Sequence, residues 1–171
     1  GAPVMYGGFG SNVDMRSGAP AFGTPTHMQM TLGTGQLARL LGLPWRSAAG
    51  SASNTHDMQA SEENTLGLMA TAMAQTTLIL HSAGWLEGGL TFGYEKFIND
   101  LEVLQVFGHL SRGIDQTPDA ISLDPIKEVL PGGHFFETKQ TLARYGTEFY
   151  EPLVADLSKY GPWEKSGAIP S

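Results

Sequence analysis

The sequence predicts an α/β protein made of successive βα units of a TIM-type (β/α)8 barrel, followed by a helical C-terminal segment. Two observations carry that expectation. Leu78-Ile79-Leu80 is an apolar strand that runs into small residues, then Trp85, Glu87 and three glycines, before an amphipathic helix begins near Tyr94. The same strand–loop–helix order occurs twice upstream. Strands that stop in glycine-rich loops holding an aromatic and an acid are how such barrels build sites at the strands' carboxyl ends.

Taken in order, Pro3 to Tyr6 reads as a short buried strand. Residues 7–25 hold five glycines and two prolines in 19 positions, which excludes regular structure; long loops in compact domains are usually functional. Thr24-Pro25 is a helix start, with Thr as cap and Pro at the first helical position, and the helix runs to about Leu41 before stopping at Gly42. Leu43 to Arg46 is the second strand, and residues 47–56 form a loop of small and polar residues. Asp57 precedes a helix from about Met58 to Gln75, whose first turns carry Glu62 and Glu63, where the helix dipole favours acids. Thr76 to His81 is the third strand and Gly84 to Gly93 the third loop. The third helix, Tyr94 to about Leu110, lines up Phe97, Leu101, Leu104 and Gly108 on one face.

Beyond Gly113 the character changes. Pro118 to Leu130 suggests a short helix or a pair of turns, and residues 131–141 form another glycine loop. A last helix is expected from Leu142 to Leu157, kinked or divided at Pro152, and the tail 163–171 has no periodicity. Residues 1–112 thus supply the βα units and 113–171 a helical segment that completes the same domain. Three units cannot close eight strands. The chain, which opens Gly1-Ala2-Pro3 with no initiator Met, is therefore expected to be part of a longer protein; the alternative is a small open α/β sheet.

Composition narrows the function. The 171 residues are 41% hydrophobic, enough for a packed core, and only 16% charged, against roughly 25% in ordinary soluble domains. Some surface is therefore expected to be covered by the rest of a longer chain or by a partner subunit, and a homo-oligomer is the expected state. A net charge of −7 with ten scattered basic residues argues against nucleic acid. The absence of cysteine removes disulfides, thiolate metal sites and cysteine nucleophiles, and fits a cytoplasmic location. No apolar run is long enough for a membrane span. The five histidines show neither HxH nor HExxH spacing, so no metal site is expected. There is no GxSxG elbow, Walker loop or dinucleotide fingerprint, and Tyr6-Gly7-Gly8-Phe9-Gly10 is only a weak glycine match.

The aromatics are more informative. Tyr6, Phe9 and Phe22 lie in loop one, Trp45 near loop two, and Trp85, Phe92 and Tyr94 in or beside loop three. A quaternary ammonium ligand has no N–H to donate, so it is held by ring faces and by a carboxylate such as Glu87 or Asp14. Packing of helix against sheet competes for every ring; Phe9 and Trp85, next to glycines, are the strongest candidates for a ligand. The substrate-binding set is Tyr6, Phe9, Asn12 and Asp14 in loop one, Ser53, His56, Asp57 and Gln59 in loop two, and His81, Trp85 and Glu87 in loop three. Asp57 reads equally well as a helix cap, and His27 and His109 as surface residues. No residue is assigned acid–base work.

The segments GAPVMYGGFGSNVDMRSG, GQLARLLGLPWRS, DMQASEE, HSAGWLEGGLTFGYEKF and GGHFFETKQTLARYGTEFYEPLV, in this order and spacing, resemble the trimethylamine methyltransferase family, corrinoid-dependent enzymes that include glycine betaine methyltransferases. The resemblance covers nearly the whole chain and corresponds to the C-terminal third of a longer protein. It implies a TIM barrel that moves a methyl group from a methylated amine to the Co(I) centre of a separate corrinoid protein. No cofactor would be bound directly. Archaeal trimethylamine enzymes of the family carry pyrrolysine; this chain has only standard residues, which shifts the expected substrate to a quaternary amine such as a betaine or carnitine. The competing readings are a non-catalytic binding protein for quaternary ammonium compounds and an inert piece that needs the rest of the barrel.

Overall fold

The computed structural model describes residues 1–169, so the tail expected at 163–171 extends two positions beyond the described residues. Its centre is a parallel sheet of β1 (Tyr6–Gly7), β2 (Trp45–Ala48) and β3 (Leu78–Leu80), in the order β1-β2-β3. Parallel neighbours need a long crossover, and α1 (Pro25–Leu40) and α2 (Met58–Met73) supply the two that are needed. Thr24 caps α1 through the His27 N–H, with Pro25 opening the helix, and Asp57 caps α2 through the Ala60 N–H.

Alternation along β2 decides which face is covered. Trp45 is 1% exposed and packs with Ala38 of α1 and Ala74, the residue after α2. Its Nε1–H donates to the Gln75 carbonyl at 3.3 Å. The buried Ser47 hydroxyl faces that of Thr31 on α1 at 3.5 Å. Gly35 makes this fit possible, since a Cβ there would lie 2.6 Å from the Ala74 carbonyl and 2.8 Å from the Trp45 ring. Arg46, between these two, lies on the opposite face, where the register sets it beside Gly7 and Leu78.

Expectations change at all three strands. The second is Trp45–Ala48 rather than Leu43–Arg46, the Leu43 N–H being spent on the Ala38 carbonyl of α1, and the third is trimmed from Thr76–His81 to Leu78–Leu80. The first strand starts at Tyr6 rather than Pro3, and it is exposed rather than buried: Val4, Met5 and Tyr6 are all open to solvent. Among the described residues β1 has β2 as its only strand partner in this sheet, so its far edge is unpaired by any described strand. The third loop is partly ordered: β4 (Trp85–Leu86) and β5 (Thr91–Phe92) pair antiparallel around a 3-10 turn at Glu87–Gly89.

α3 (Tyr94–Leu110) follows. Phe97, Leu101 and Leu104 are only half-buried and Gly108 is exposed. The fully buried residues are Lys96 and Asp100, an ion pair at 2.5 Å one residue ahead of the apolar stripe.

The described chain divides into two units, Gly1–Leu104 together with Val154 onward, and Gln105–Leu153. In the first, the Val154 N–H donates to Glu102 at 2.8 Å, and α7 (Tyr160–Lys165) carries its last three residues into the tail expected to be irregular. The second holds α4 (Pro118–Ile121), α5 (Leu123–Glu128) and α6 (Lys139–Arg144). The helix expected over Leu142 to Leu157 is not formed. α6 starts earlier, behind the Thr138 cap, and ends before Tyr145; residues 146–159 are non-helical. Pro152, expected to kink a helix, instead sits in a stretch without one, consistent with its missing N–H. Among the described residues no helix is long and apolar enough to cross a membrane.

Candidate functional site

Five rings gather beyond the sheet. Phe9 and Phe22, at the two ends of loop one, stack with centroids 4.8 Å apart and planes 5° from parallel. Trp85 meets both edge-on, at 6.3 Å from Phe9 and 6.1 Å from Phe22. His81 lies 3.7 Å from Trp85 and 5.9 Å from Phe9, and His27 lies 5.5 Å from Phe22. The Phe9–Phe22 stack and the edge-on contacts made by Trp85 and His27 are arrangements that ring quadrupoles favour; His81 meets Phe9 and Trp85 at a tilt. Phe22 is buried, while Phe9 is 40% exposed and Trp85 half-buried, so the cluster is open on one side.

Glycines make room for the tryptophan. A Cβ on Gly50 would lie 3.0 Å from Trp85 Cδ1, and one on Gly89 would lie 2.3 Å from Cζ2. Both residues also have positive φ, 122° and 105°, which glycine alone adopts without strain. The indole therefore lies against backbone from loop two and loop three. Its Nε1–H is buried and has no hydrogen-bond partner among the described residues.

His27 corrects an expectation, for it is 1% exposed rather than on the surface. Its Nδ1 accepts the Gly23 N–H at 3.1 Å, so that nitrogen carries no proton. Burial lowers its pKa, against a smaller opposing pull from the Ala48 carbonyl. His81 is also pushed down, first by burial and then by the Arg46 charge. Both imidazoles are thus biased to the neutral form at pH 7. An uncharged ring tolerates a nearby cation; an imidazolium repels it.

Loop two is organised by a residue outside the predicted set. Glu63 on α2 accepts the Ser51 hydroxyl at 2.7 Å, the Ala52 N–H at 2.8 Å and the Ser53 N–H at 3.2 Å on one oxygen. Its other oxygen accepts the Gln59 amide at 2.9 Å. The loop so fixed then offers the carbonyls of Ser53 and Ser51 to the N–H groups of Glu87 and Gly88, at 2.9 and 3.1 Å. Loop three is held from its other end as well: the Gly84 N–H donates to Asp100 at 2.8 Å, beside the buried Lys96.

The structure brings Phe9, His81 and Trp85 together, and adds Phe22 and His27. The other predicted site residues are engaged elsewhere. Asp14 closes its own turn through the Ser17 hydroxyl and N–H and the Arg16 N–H, bonds that hold its carboxyl below the usual range. Asn12 accepts the Thr24 hydroxyl at 3.2 Å. Ser53 donates to Asp57 at 3.0 Å; Asp57, as the α2 cap, has its pKa lowered chiefly by the Ala60 N–H. His56 Nε2 meets the Asn99 amide at 2.8 Å, Gln59 binds Glu63, and Glu87 accepts the Thr91 hydroxyl. Tyr6 stays on β1, 38% exposed.

Lys96, Asp100 and Glu63 were missed because charges on a helix ordinarily read as its solvent face. A faint signal for the first two was their i, i+4 spacing. In the second unit, a separate cavity of about 390 Å³ is lined by Asp115, Gln140, Arg144, Tyr145 and Glu148, among others. Arg144 there pairs with Asp119 and with Glu148.

Comparison with known proteins adds a family. The pattern described as trimethylamine methyltransferase (MTTB) matches residues 1–171. The chain is similar to a glycine betaine methyltransferase of Desulfitobacterium hafniense (strain Y51), with 39% identity over 166 residues, which is 96% of this chain and 35% of that protein. It is also similar to the trimethylamine methyltransferase MttB of Desulfitobacterium hafniense (strain DSM 10664 / DCB-2), 34% identical over 98% of this chain and 34% of the relative. A third, the trimethylamine methyltransferase MttB of Methanosarcina thermophila, is 31% identical over 98% of this chain and 35% of the relative. The chain therefore spans about a third of the length of these curated relatives.

Proposed function

We propose, for a chain that belongs to the trimethylamine methyltransferase family, that it forms the amine-binding part of an enzyme that takes a methyl group from a quaternary amine. The acceptor is the Co(I) centre of a separate corrinoid protein, which supplies the nucleophile; it is a co-substrate rather than a group resident in this chain. The three parallel strands are read as consecutive strands of a (β/α)8 barrel, with the rings at its mouth.

The observation that carries this reading is the open cluster of Phe9, Trp85 and the neutral His81. A methylated ammonium spreads its charge over methyl groups and offers no hydrogen bond, so ring faces are its natural partners, each worth about 0.5–1 kcal/mol when exposed and about 2 or more when desolvated. In the reaction the carbon–nitrogen bond breaks and its electron pair stays on the departing amine. That amine leaves neutral, so no general acid is needed, in keeping with a cluster whose imidazoles are uncharged. What the chain supplies is orientation of the methyl group and exclusion of water.

The test is a methyl-transfer assay on the protein at its natural length, with cob(I)alamin as acceptor and loss of the Co(I) absorption as the signal. Glycine betaine or a related quaternary amine is expected to support turnover. A protein that merely binds such compounds would show saturable binding with no Co(I) consumption, and that outcome defeats the enzymatic reading. Trp85→Ala is expected to weaken amine binding more than folding; unchanged affinity removes loop three from the site.

A further inference from the structure

The face of the sheet opposite the helices carries a cation that the amine reading leaves unused. Arg46 is exposed on β2, between the buried Trp45 and Ser47, and so projects away from α1 and α2. Its guanidinium lies across Gly7: a Cβ at that glycine would be 3.3 Å from Nη2, 3.4 Å from Nε and 3.5 Å from Cζ. A side chain at Gly7 would crowd the guanidinium by a few tenths of an ångström, so the glycine leaves it room on the neighbouring strand. No ion pair to Arg46 forms among the described residues. Phe9 follows Gly7 by two residues, and His81, whose ring lies 3.7 Å from Trp85 at a 56° tilt, is near enough to feel the Arg46 charge. An unpaired guanidinium thus lies beside a set of uncharged rings.

We propose that Arg46 selects the substrate, binding the carboxylate of a zwitterionic quaternary amine whose ammonium end rests on Phe9, His81 and Trp85. This rests on the function proposed above and deepens it. The guanidinium is always charged and offers paired donors that match the two oxygens of a carboxylate. A quaternary or tertiary amine without an anionic group gains nothing from it and is repelled by it. The pair of rings and guanidinium therefore discriminates by the far end of the molecule, away from the methyl group that moves.

Binding titrations on the protein at its natural length test this, with glycine betaine and tetramethylammonium as probes and tryptophan fluorescence or heat as readout. The unaltered protein is expected to bind glycine betaine at least tenfold more tightly than tetramethylammonium. Arg46→Gln is expected to lose ten- to a hundredfold in betaine affinity while tetramethylammonium binds within twofold of before, or more tightly. Arg46→Lys, which keeps the charge without the fork, should fall between. If betaine affinity survives Arg46→Gln, or both probes weaken equally, the proposal is overturned while the amine site stands. If tetramethylammonium fails to bind the unaltered protein at all, the amine site itself is wrong and the role of Arg46 falls with it.

Discussion

Removing the Glu63 carboxylate should loosen loop two by a calculable amount. Its Oε2 receives three donors, the Ser51 hydroxyl and the Ala52 and Ser53 N–H groups. Ser53 N–H also has the Ser51 oxygen at 2.9 Å, so it keeps a partner after Glu63→Ala. Ala52 N–H and the Ser51 hydroxyl do not. Losing an acceptor costs about 1–3 kcal/mol for each group left unpaired in a buried setting; Ser51 is fully buried but Ala52 only half-buried, so water relieves part of the second loss, which gives about 2–4 kcal/mol in all. Alanine retains the Cβ against which Gly23 packs, so the loss reports the polar bonds rather than a cavity. Glu63→Gln is the informative partner. Its amide oxygen can serve the same donors while its NH₂ faces a turned Gln59, leaving a cost of about 1 kcal/mol for the missing charge. Urea unfolding followed by tryptophan fluorescence measures both, as midpoint shifts at constant slope. Equal losses in the two variants, or a loss below about 0.5 kcal/mol for Glu63→Ala, the range of an ordinary surface change, would refute the assignment.

Three further outcomes are expected. Asp100→Asn leaves the buried Lys96 ammonium unpaired and should cost about 3–5 kcal/mol; replacing both residues with apolar ones should recover much of it, and a cost under about 1 kcal/mol in urea unfolding would show that the pair does not anchor loop three. Gly89→Ala places a methyl 2.3 Å from Trp85 Cζ2 at a positive φ and should alter the near-ultraviolet dichroism of that indole, whereas Gly108→Ala, which meets nothing within 4 Å on α3, should be neutral or stabilising. Stability should decline as pH falls below about 6.5, because His27 and His81 have lowered pKa values and the unfolded chain takes up their protons first; His27→Gln should flatten that decline, and a profile unchanged by it would count against a buried neutral ring. The lowered carboxyls of Asp14 and Asp57 act separately, below the ordinary value of 3.8.

What could be read from the residues depended on whether the signal was local. The helices α1 and α2 were legible because Thr24-Pro25 and Asp57 cap them in the immediate sequence. The ring pair Phe9 and Trp85 stood out for its glycines, though which glycines matter was not visible: Gly50 and Gly89 touch the indole, and Gly50 comes from another loop. Asp14 and Glu87 read as ligands for a cation but are spent on the Ser17 and Thr91 donors near them, whereas Asp57 is the helix cap that its sequence position equally suggested. The buried status of His27, Lys96 and Asp100 depends on tertiary enclosure, which no short window of residues encodes. The helix expected from Leu142 to Leu157, divided at Pro152, fails well before the proline: α6 ends at Arg144, just ahead of Gly146, a weak helix former.

The bonding between loops two and three has a consequence for access. Their peptide groups are stitched together at Ser51–Gly88 and Ser53–Glu87, so they form one stiff wall. Loop one is folded on itself, by the Asn12–Ala21 and Asp14–Ala19 bonds, and meets Trp85 through ring surfaces. Sliding rings past one another severs no hydrogen bond. The side of the ring cluster that can shift without breaking a hydrogen bond is therefore the one carrying Phe9.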